Sequence, residues 1–452
     1  MRLSFMAERA IRFTARNGIR ARKPSSEFSP LMEATDMNSR ERVIAALEHR
    51  QPDRVPVDIG GAVVTGIHAS ALHRLRKALK LKPSVVKVYE PMMMLGLVDN
   101  DVREALGGDI VGLNAPGTLL GYTNENWKPW ELPDGTPVLM GGGFACTRGP
   151  DGTIYAYPNG NTSAPASARM PADGLYFDNI VRQENLDGHE FNARRDYADQ
   201  YSVFSDEVYR YYAKTAKALY EETDCAVFGN FFLGGVGDIF HIPGAWIEHP
   251  RGIRDLQDWI MAHYDHPDYV KEFFDMQTEI TLKNLELYRQ AVGNRIVAIA
   301  VSGTDFGTQN GLFISPSCYR EFYKPCHRKF NDWIHQNTNW KVFFHTCGSV
   351  VDLLDDFIEV GVDIINPVQF AARGMDLETL KKKYGDKLVF WGGGVDPQKT
   401  LPFGTPQEVA AETRRNVSIM SKWGGFVCAA VHNIQGPTPV ENILAFFRAI
   451  SA

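Results

Sequence analysis

The stretch KVFFHTCGS, residues 341–349, carries the most information about the fold and its site. Residues 342–344 form an apolar run typical of a buried strand, and His345 and Cys347 follow at its end. Alternate residues of an extended segment point to the same side, so both side chains face one place. Imidazole nitrogen and thiolate sulfur are typical zinc ligands. A His-x-Cys pair also occurs without a metal, so whether this pair binds one depends on the residues that the rest of the chain places beside it.

Composition excludes several protein classes. The net charge of −6 over 452 residues does not fit a nucleic-acid-binding protein or a polybasic membrane anchor. An apolar run of about 18 residues is missing from the sequence, so we expect no membrane span. The six cysteines are scattered, which is typical of reduced thiols in a cytoplasmic protein.

The first 36 residues differ from the rest of the chain. Residues 1–23 contain six arginines and a single acid, Glu8, as in a mitochondrial transit peptide. Alternatively, translation starts at Met37, and we favour this interpretation because a helix over residues 40–47 with Ser39 as N-cap follows at once. We therefore predict an N-terminal extension, disordered or mis-assigned, over 1–36 and one folded domain over 37–452.

Short apolar strands alternate with helices through that domain. The predicted strands are 54–61, 109–114, 224–230, 296–301, 341–344, 362–366, 388–392 and 425–431. The predicted helices after the first are 68–80, 91–106, 203–222, 251–263, 267–275, 276–292, 316–336, 350–360, 376–384, 406–422 and 439–450. Eight such units predict a single α/β domain with a (β/α)8 TIM barrel. An open doubly wound sheet is the alternative, but no Gly-x-Gly-x-x-Gly follows the first strand.

The segment from about 117 to 200 interrupts this alternation. It is rich in Gly, Pro, Asn and Thr, and Pro-Asp-Gly turns occur at 133–135 and 150–152. Such turns between short strands are typical of hairpins, so we predict an antiparallel β insertion after the second strand.

Polar residues follow the predicted strands, and barrel active sites lie at the C-terminal ends of strands. A catalytic zinc needs three protein ligands and an open position. His345 and Cys347 supply two, and His432 after the last strand, or Cys428 within it, supplies the third; we favour His432. Asp305 is either a fourth ligand or a partner that orients a histidine. The candidate catalytic residues are Asp305 and His432, and the candidate substrate contacts are Asp58, Asn230, Gln369 and Asp396.

From about residue 37 to the end, the chain resembles the uroporphyrinogen decarboxylase superfamily, which includes cobalamin-dependent methyltransferases. The motifs that carry this resemblance are RERV (40–43) through PDRVP (52–56), HTCGS (345–349), WGGGVD (391–396) and HNIQ (432–435) followed by TPVENI (438–443). The resemblance implies the barrel fold predicted above.

Two departures from the family patterns bear on the reaction. True uroporphyrinogen decarboxylases carry an Arg-Gln-Ala-Gly-Arg segment for the substrate carboxylates, whereas residues 58–63 read DIGGAV without arginine. The superfamily's zinc methyltransferases use a His-x-Cys pair and a distant cysteine, and His432 stands at that distant position. In the decarboxylases that position also holds a histidine, so the resemblance to the methyltransferase branch rests on the His-x-Cys pair and on the missing arginines.

That branch implies a zinc-dependent methyltransferase acting with a corrinoid carried by a partner protein. A methyl group would move between a small methylated substrate or methyl-corrinoid and an acceptor. One alternative is a decarboxylase of a small carboxylated substrate with His432 as proton donor, and another is a non-catalytic ligand-binding barrel. Dimers are common in the superfamily, so a homodimer is compatible with the sequence.

Overall fold

A computed structural model describes residues 36–451. The predictions for the N-terminal extension lie outside these residues, apart from its last position. The strands are β1 (Val86–Glu90), β2 (Leu95–Gly96), β3 (Ile110–Leu113), β4 (Lys128–Glu131), β5 (Pro137–Met140), β6 (Cys146–Arg148), β7 (Ile154–Ala156), β8 (Ala168–Met170), β9 (Asp178–Asn179), β10 (Ala226–Asn230), β11 (Ala298–Ser302), β12 (Lys341–His345), β13 (Ile364–Asn366), β14 (Val389–Trp391) and β15 (Phe426–Val427).

The helices are α1 (Ser39–Leu47), α2 (Ala69–Ala78), α3 (Asn100–Ala105), α4 (Ala193–Asp196), α5 (Asp206–Glu222), α6 (Leu256–Asp265), α7 (Pro267–Val292), α8 (Pro316–Cys318), α9 (Lys324–Asn337), α10 (Leu354–Glu359), α11 (Leu377–Tyr384), α12 (Thr400–Phe403), α13 (Pro406–Met420) and α14 (Val440–Ile450). A π-helical turn at 319–323 joins α8 to α9. No helix among residues 36–451 has the length and apolar character needed to cross a membrane.

Seven parallel strands form a curled sheet in the order β3, β10, β11, β12, β13, β14, β15. Alternate residues of each strand belong to two different buried clusters. In β12, for example, Phe343 packs inside the sheet with Phe228 and Trp391, whereas Val342 and Phe344 belong to the larger cluster that includes helix residues. This two-residue alternation between an interior and a helix-covered face is that of a TIM-like barrel.

The first predicted strand, residues 54–61, is wrong as a strand. Only Val57 forms a bridge, to Cys428, and the segment then turns at Gly60. Pro56 has no N–H to donate, and the Asp58 carboxylate binds the amide of Gly61 and the hydroxyl of Thr65, which stabilises the turn instead.

Even so, residues 56–58 connect the two edges of the sheet. The amide of Asp58 donates to Cys428 O at 2.9 Å, and the amide of Cys428 donates to Pro56 O at 2.8 Å. On the other side, the amide of Asp109 donates to Val57 O at 2.8 Å. This short segment therefore occupies the gap between β15 and β3.

Apart from β3, the strands between residues 86 and 179 form two small sheets. One has the order β2-β1-β5-β4, and the other is the antiparallel sheet β6-β7-β8-β9. In the first sheet β5 pairs with β1 in parallel and with β4 antiparallel. In the sequence, β1 and β2 lie before the second predicted strand, which is β3, and β4 and β5 lie after it. The sheet is therefore not a simple insertion after that strand.

Several predicted helix boundaries need correction. The predicted helix 91–106 is replaced by a turn at 91–94, strand β2 and the short α3, because β2 pairs with β1 there. The predicted helices 267–275 and 276–292 form one helix, α7, whose apolar face continues without a break. The N-cap of α1 is Asn38 rather than Ser39, since Asn38 and Glu41 form a reciprocal capping box.

Candidate metal centre

His345, Cys347 and His432 form one cluster at the C-terminal end of the sheet. Their ligand atoms all lie within 4.8 Å of one another. His345 is the last residue of β12, and the distance from its Nε2 to the Sγ of Cys347 is 3.4 Å. The rings of His345 and His432 have centroids 5.7 Å apart. The cluster thus brings together both halves of the predicted ligand set.

Asn366 determines which nitrogen of His345 faces the cluster. The Nδ2 of Asn366 donates to Trp391 O at 2.8 Å, so its Oδ1 must point the other way, toward Nδ1 of His345 at 2.6 Å. An amide oxygen only accepts, so Nδ1 of His345 carries the proton. In the neutral ring the lone pair is therefore on Nε2, which lies 3.4 Å from Sγ of Cys347, as in a metal-ligating histidine.

Two neighbouring loops hold Cys347 in place. Its amide donates to Oδ1 of Asp305 at 2.6 Å, and the amide of Gly348 donates to Oε1 of Gln369 at 2.8 Å. Gly348 has φ +86°, and a Cβ there would lie 2.4 Å from the carbonyl carbon of Gly307. The His-x-Cys-Gly sequence therefore needs its glycine so that the loops after β11 and β12 can touch.

The protonation of the cluster suits a metal site. Burial, with Asp305 nearby, raises the pKa of the Cys347 thiol well above its usual range. Burial also lowers the pKa of His432 to about 4, so His432 is neutral at physiological pH. A bound cation would displace the thiol proton of Cys347.

The donor set fits zinc. Nitrogen and sulfur ligands at about 2.0 and 2.3 Å from a tetrahedral zinc lie about 3.5 Å apart. The 3.4 Å between Nε2 of His345 and Sγ of Cys347 matches this separation. Three protein ligands leave the fourth position open, which is the arrangement of catalytic rather than structural zinc.

Asp305 and Cys428 have different positions relative to the cluster. The Oδ1 of Asp305 lies 3.8 Å from Nε2 of His345. Cys428 is fully buried, and its sulfur packs against Gly394. Among the described residues Cys428 is not part of the cluster, so the geometry favours His432 as the third ligand.

A cavity of about 520 Å³ opens beside the cluster. Cys347 and His432 contribute to its wall, as do the predicted substrate contacts Gln369 and Asp396. The remaining wall is mainly amide, aromatic and backbone, from Tyr176, Gly307, Thr308, Gln309, Gly348, Pro367, Phe370, Ala371, Pro397, Gln398, Val431, Asn433 and Gln435. Tyr176, Gln309 and Gln398 have no signal in the sequence, since they reach the cavity from loops.

The other two predicted substrate contacts do not line this cavity. Asp58 accepts from the indole of Trp391 at 2.8 Å, and burial raises the pKa of its carboxyl. Asn230 donates to Asn114 and accepts from the amide of Val63. Both side chains connect backbone segments around the interior of the sheet.

The model of the uroporphyrinogen decarboxylase (URO-D) family matches residues 203–452, more than half of the chain. The chain belongs to the uroporphyrinogen decarboxylase family. The matched region contains His345, Cys347 and His432, as well as six of the seven parallel strands. A comparison with curated proteins finds no match for the chain.

A solved structure has a similar fold. It is a methyltransferase from Methanosarcina mazei with 17% sequence identity and a TM-score of 0.52. The alignment covers 92% of this chain and 98% of that chain. At this identity the likeness establishes a shared fold, which extends over nearly the whole length of both chains.

Proposed function

We propose that the protein is a zinc-dependent methyltransferase that acts with a corrinoid protein. The single observation that carries the proposal is the cluster of His345, Cys347 and His432 at the wall of the cavity. Family membership and the fold shared with a methyltransferase support it. We take the fold to be a (β/α)8 barrel in which residues 56–58 stand in for the first strand.

His345, Cys347 and His432 would hold the zinc, and Asn366 would keep Nε2 of His345 available to it. Bound there, zinc supplies Lewis acidity that lowers the pKa of a thiol acceptor or polarises the oxygen of a methoxy substrate. Asp305, whose Oδ1 is fixed by the amide of Cys347, contributes a negative charge beside the ligands. Gln369 and Asp396 lie on the cavity wall where they can contact the substrate.

The cavity wall bears on the alternative decarboxylase. No lysine or arginine lines the cavity among the described residues. A substrate with several carboxylates would lack counter-charges there, because guanidinium groups are the usual partners of buried carboxylates. This argues against a carboxylate-rich substrate, and the CO₂ assay below tests the alternative of a decarboxylase acting on a small carboxylated substrate.

Metal content is the first test. Protein purified without chelator is expected to contain about one zinc per chain, and His345→Ala should lose it. His335→Ala is the matched control, because His335 pairs with Asp363 on the surface away from the cluster. An active wild type without metal would overturn the proposal.

Methyl transfer is the second test. Methylcobalamin and a thiol are mixed with the enzyme, and the cobalt absorption is followed as the Co–C bond breaks and the S–C bond forms. We expect turnover with wild type and with His335→Ala and none with His345→Ala. Release of CO₂ from a carboxylated substrate without methyl transfer would favour the decarboxylase instead.

A further inference from the structure

The cavity beside the cluster has an unusual charge balance. Of the residues that line it, Asp396 is the only carboxylate, and none of them is lysine or arginine. Five side-chain amides make up most of the remaining polar wall, from Gln309, Gln369, Gln398, Asn433 and Gln435. Asp396 is therefore the one carboxylate on the described wall, and no lysine or arginine lies there to balance its charge.

Asp396 is held rigidly, and one of its oxygens is free. Its Oδ1 accepts from the amide of Gln398 at 2.7 Å, and its own amide donates to Oε1 of Glu412 at 2.8 Å. The residue is only 6% exposed. Its Oδ2 has no hydrogen-bond partner among residues 36–451. Because Asp396 lines the cavity, this oxygen is available to a ligand that carries a donor or a positive charge.

An aromatic ring lies on the same cavity wall. Tyr176 is 47% exposed, although the backbone on either side of it is fixed. Nε2 of His68 lies 2.7 Å from Leu175 O, and the amide of Phe177 donates to Met92 O at 2.8 Å. Aromatic faces attract ammonium groups, and such rings together with a carboxylate are the usual means of binding quaternary amines.

We infer that the small molecule bound in this cavity carries a positively charged amine or quaternary ammonium group, which Asp396 and Tyr176 recognise. That this molecule is a methyl donor or acceptor rests on the proposed function. An anionic group beside Asp396 would be repelled by its carboxylate, and a neutral group would at most donate a hydrogen bond to Oδ2. A cation pairs with the carboxylate, and Tyr176 offers an aromatic face to it on the same wall.

Three probes of one shape test this inference. Choline is cationic, 3,3-dimethylbutan-1-ol is its neutral carbon isostere, and 3,3-dimethylbutanoate is an anion of similar size. We expect calorimetry to give choline an affinity at least about tenfold higher than that of the alcohol. The butanoate should bind most weakly of the three.

Two variants test whether Asp396 and Tyr176 cause the preference for a cationic ligand. Asp396→Asn keeps an Oδ1 acceptor for the amide of Gln398 but removes the charge, so the preference for choline should fall to the several-fold that Tyr176 contributes. Tyr176→Leu should weaken choline binding several-fold and leave the alcohol nearly unchanged. Asp355→Asn, an exposed acid with 72% side-chain exposure, is the matched control and should behave as wild type.

Equal affinity of the three probes for the wild type, including no binding of any, overturns the inference. A cation preference that is undiminished in Asp396→Asn, with an unchanged thermal midpoint, overturns it as well. Zinc content measured on the same samples separates this outcome from failure of the proposed function. Zinc without charge preference refutes only the ligand class, whereas charge preference in a zinc-free, active enzyme refutes only the zinc chemistry.

Discussion

Asn366 determines which ring nitrogen of His345 faces the cluster. It forms no hydrogen bond with the other two members of the cluster. Its amide joins β13 to both neighbours, with Trp391 O on one side and Nδ1 of His345 on the other. Residues that orient a metal-ligating histidine are typically important for metal affinity. The side chain is fully buried, so solvent cannot replace it.

We predict that Asn366→Ala lowers zinc affinity about 10- to 100-fold while His345 is retained. The physical reason is that Nδ1 loses its acceptor and the ring is free to rotate. Competition with a chromophoric chelator measures the change. Asn442→Ala is the matched control. Asn442 is also a buried asparagine, but it donates to the carbonyls of Leu401 and Gly404, which belong neither to the cluster nor to the cavity wall. Equal affinity of Asn366→Ala and wild type would contradict the orienting role.

The third ligand can be identified by a pair of substitutions. We predict that His432→Ala weakens zinc binding by more than about 100-fold, since a ligand itself is lost. Cys428→Ala should keep the metal and cost about 1 kcal/mol of unfolding free energy, because only a buried thiol is removed. Zinc content and urea denaturation of both variants give the answer, and metal loss in Cys428→Ala alone would reverse the assignment.

At the residue scale, the sequence predicts the cluster better than the cavity. Two ligands one residue apart at the end of a strand can be read directly, because strand alternation brings them together. Tyr176 and Gln398 cannot be read in this way, since loops of irregular structure place them on the cavity wall. Asp58 follows a predicted strand, yet its side chain turns inward to Trp391 and its neighbouring amides.

At the scale of elements, Asp109 joins α1, the segment at 56–58 and β3. Its buried carboxylate accepts from Ser39, from the guanidinium groups of Arg42 and Arg54, and from the amide of Val57. Ser39 and Arg42 belong to α1, whereas Arg54 and Val57 belong to the segment that follows it. The network therefore holds the segment at 56–58 against β3, the first strand of the seven-stranded sheet.

We predict that Asp109→Ala costs about 3–5 kcal/mol of unfolding free energy, because two arginines then lose their buried partner. Urea denaturation measures the loss. The matched control is Glu48→Ala, since the ion pair of Glu48 with Arg50 is about half exposed and should contribute less than about 1 kcal/mol. A cost for Asp109→Ala as small as that of the control would show that the network is dispensable.

Strands β3 and β10 to β15 are predictable because each is an apolar run followed by a polar turn and a helix. The segment at 54–61 has the same composition, but Pro56 and the side chain of Asp58 limit it to one bridge. β1 and β2 are missed because they follow α2 without the pattern of a barrel strand, and their partner β5 lies beyond β3. Such long-range pairing is not encoded in local sequence.

At the scale of the whole molecule, one buried carboxyl group makes stability depend on pH. Burial raises the pKa of Glu90 from 4.5 to about 7, even though the amides of Met92 and Leu119 donate to it. Between these two values the folded chain binds a proton that the unfolded chain has lost. The contribution of Glu90 is thus fully present below pH 4.5 and is lost as the pH rises through 7.

We predict that wild type loses about 3 kcal/mol of unfolding free energy relative to Glu90→Gln between pH 4.5 and 8. Glutamine cannot ionise, and its Oε1 can still accept from the amide of Met92. The free energy of unfolding of both proteins is measured in urea at several pH values across this range. Parallel curves for the two proteins would show that Glu90 does not titrate in it.

The bridge between Val57 and Cys428 has a consequence for how the protein is made. The two residues are about 370 positions apart, so at 5–20 residues per second the ribosome needs roughly 20 to 75 s to produce the partner of Val57. Throughout that time the segment at 56–58 has one side unpaired, and the growing sheet presents an open edge to other nascent chains. Completion of the sheet therefore waits until β15 has emerged, and protection of the open edge until then should favour folding over aggregation.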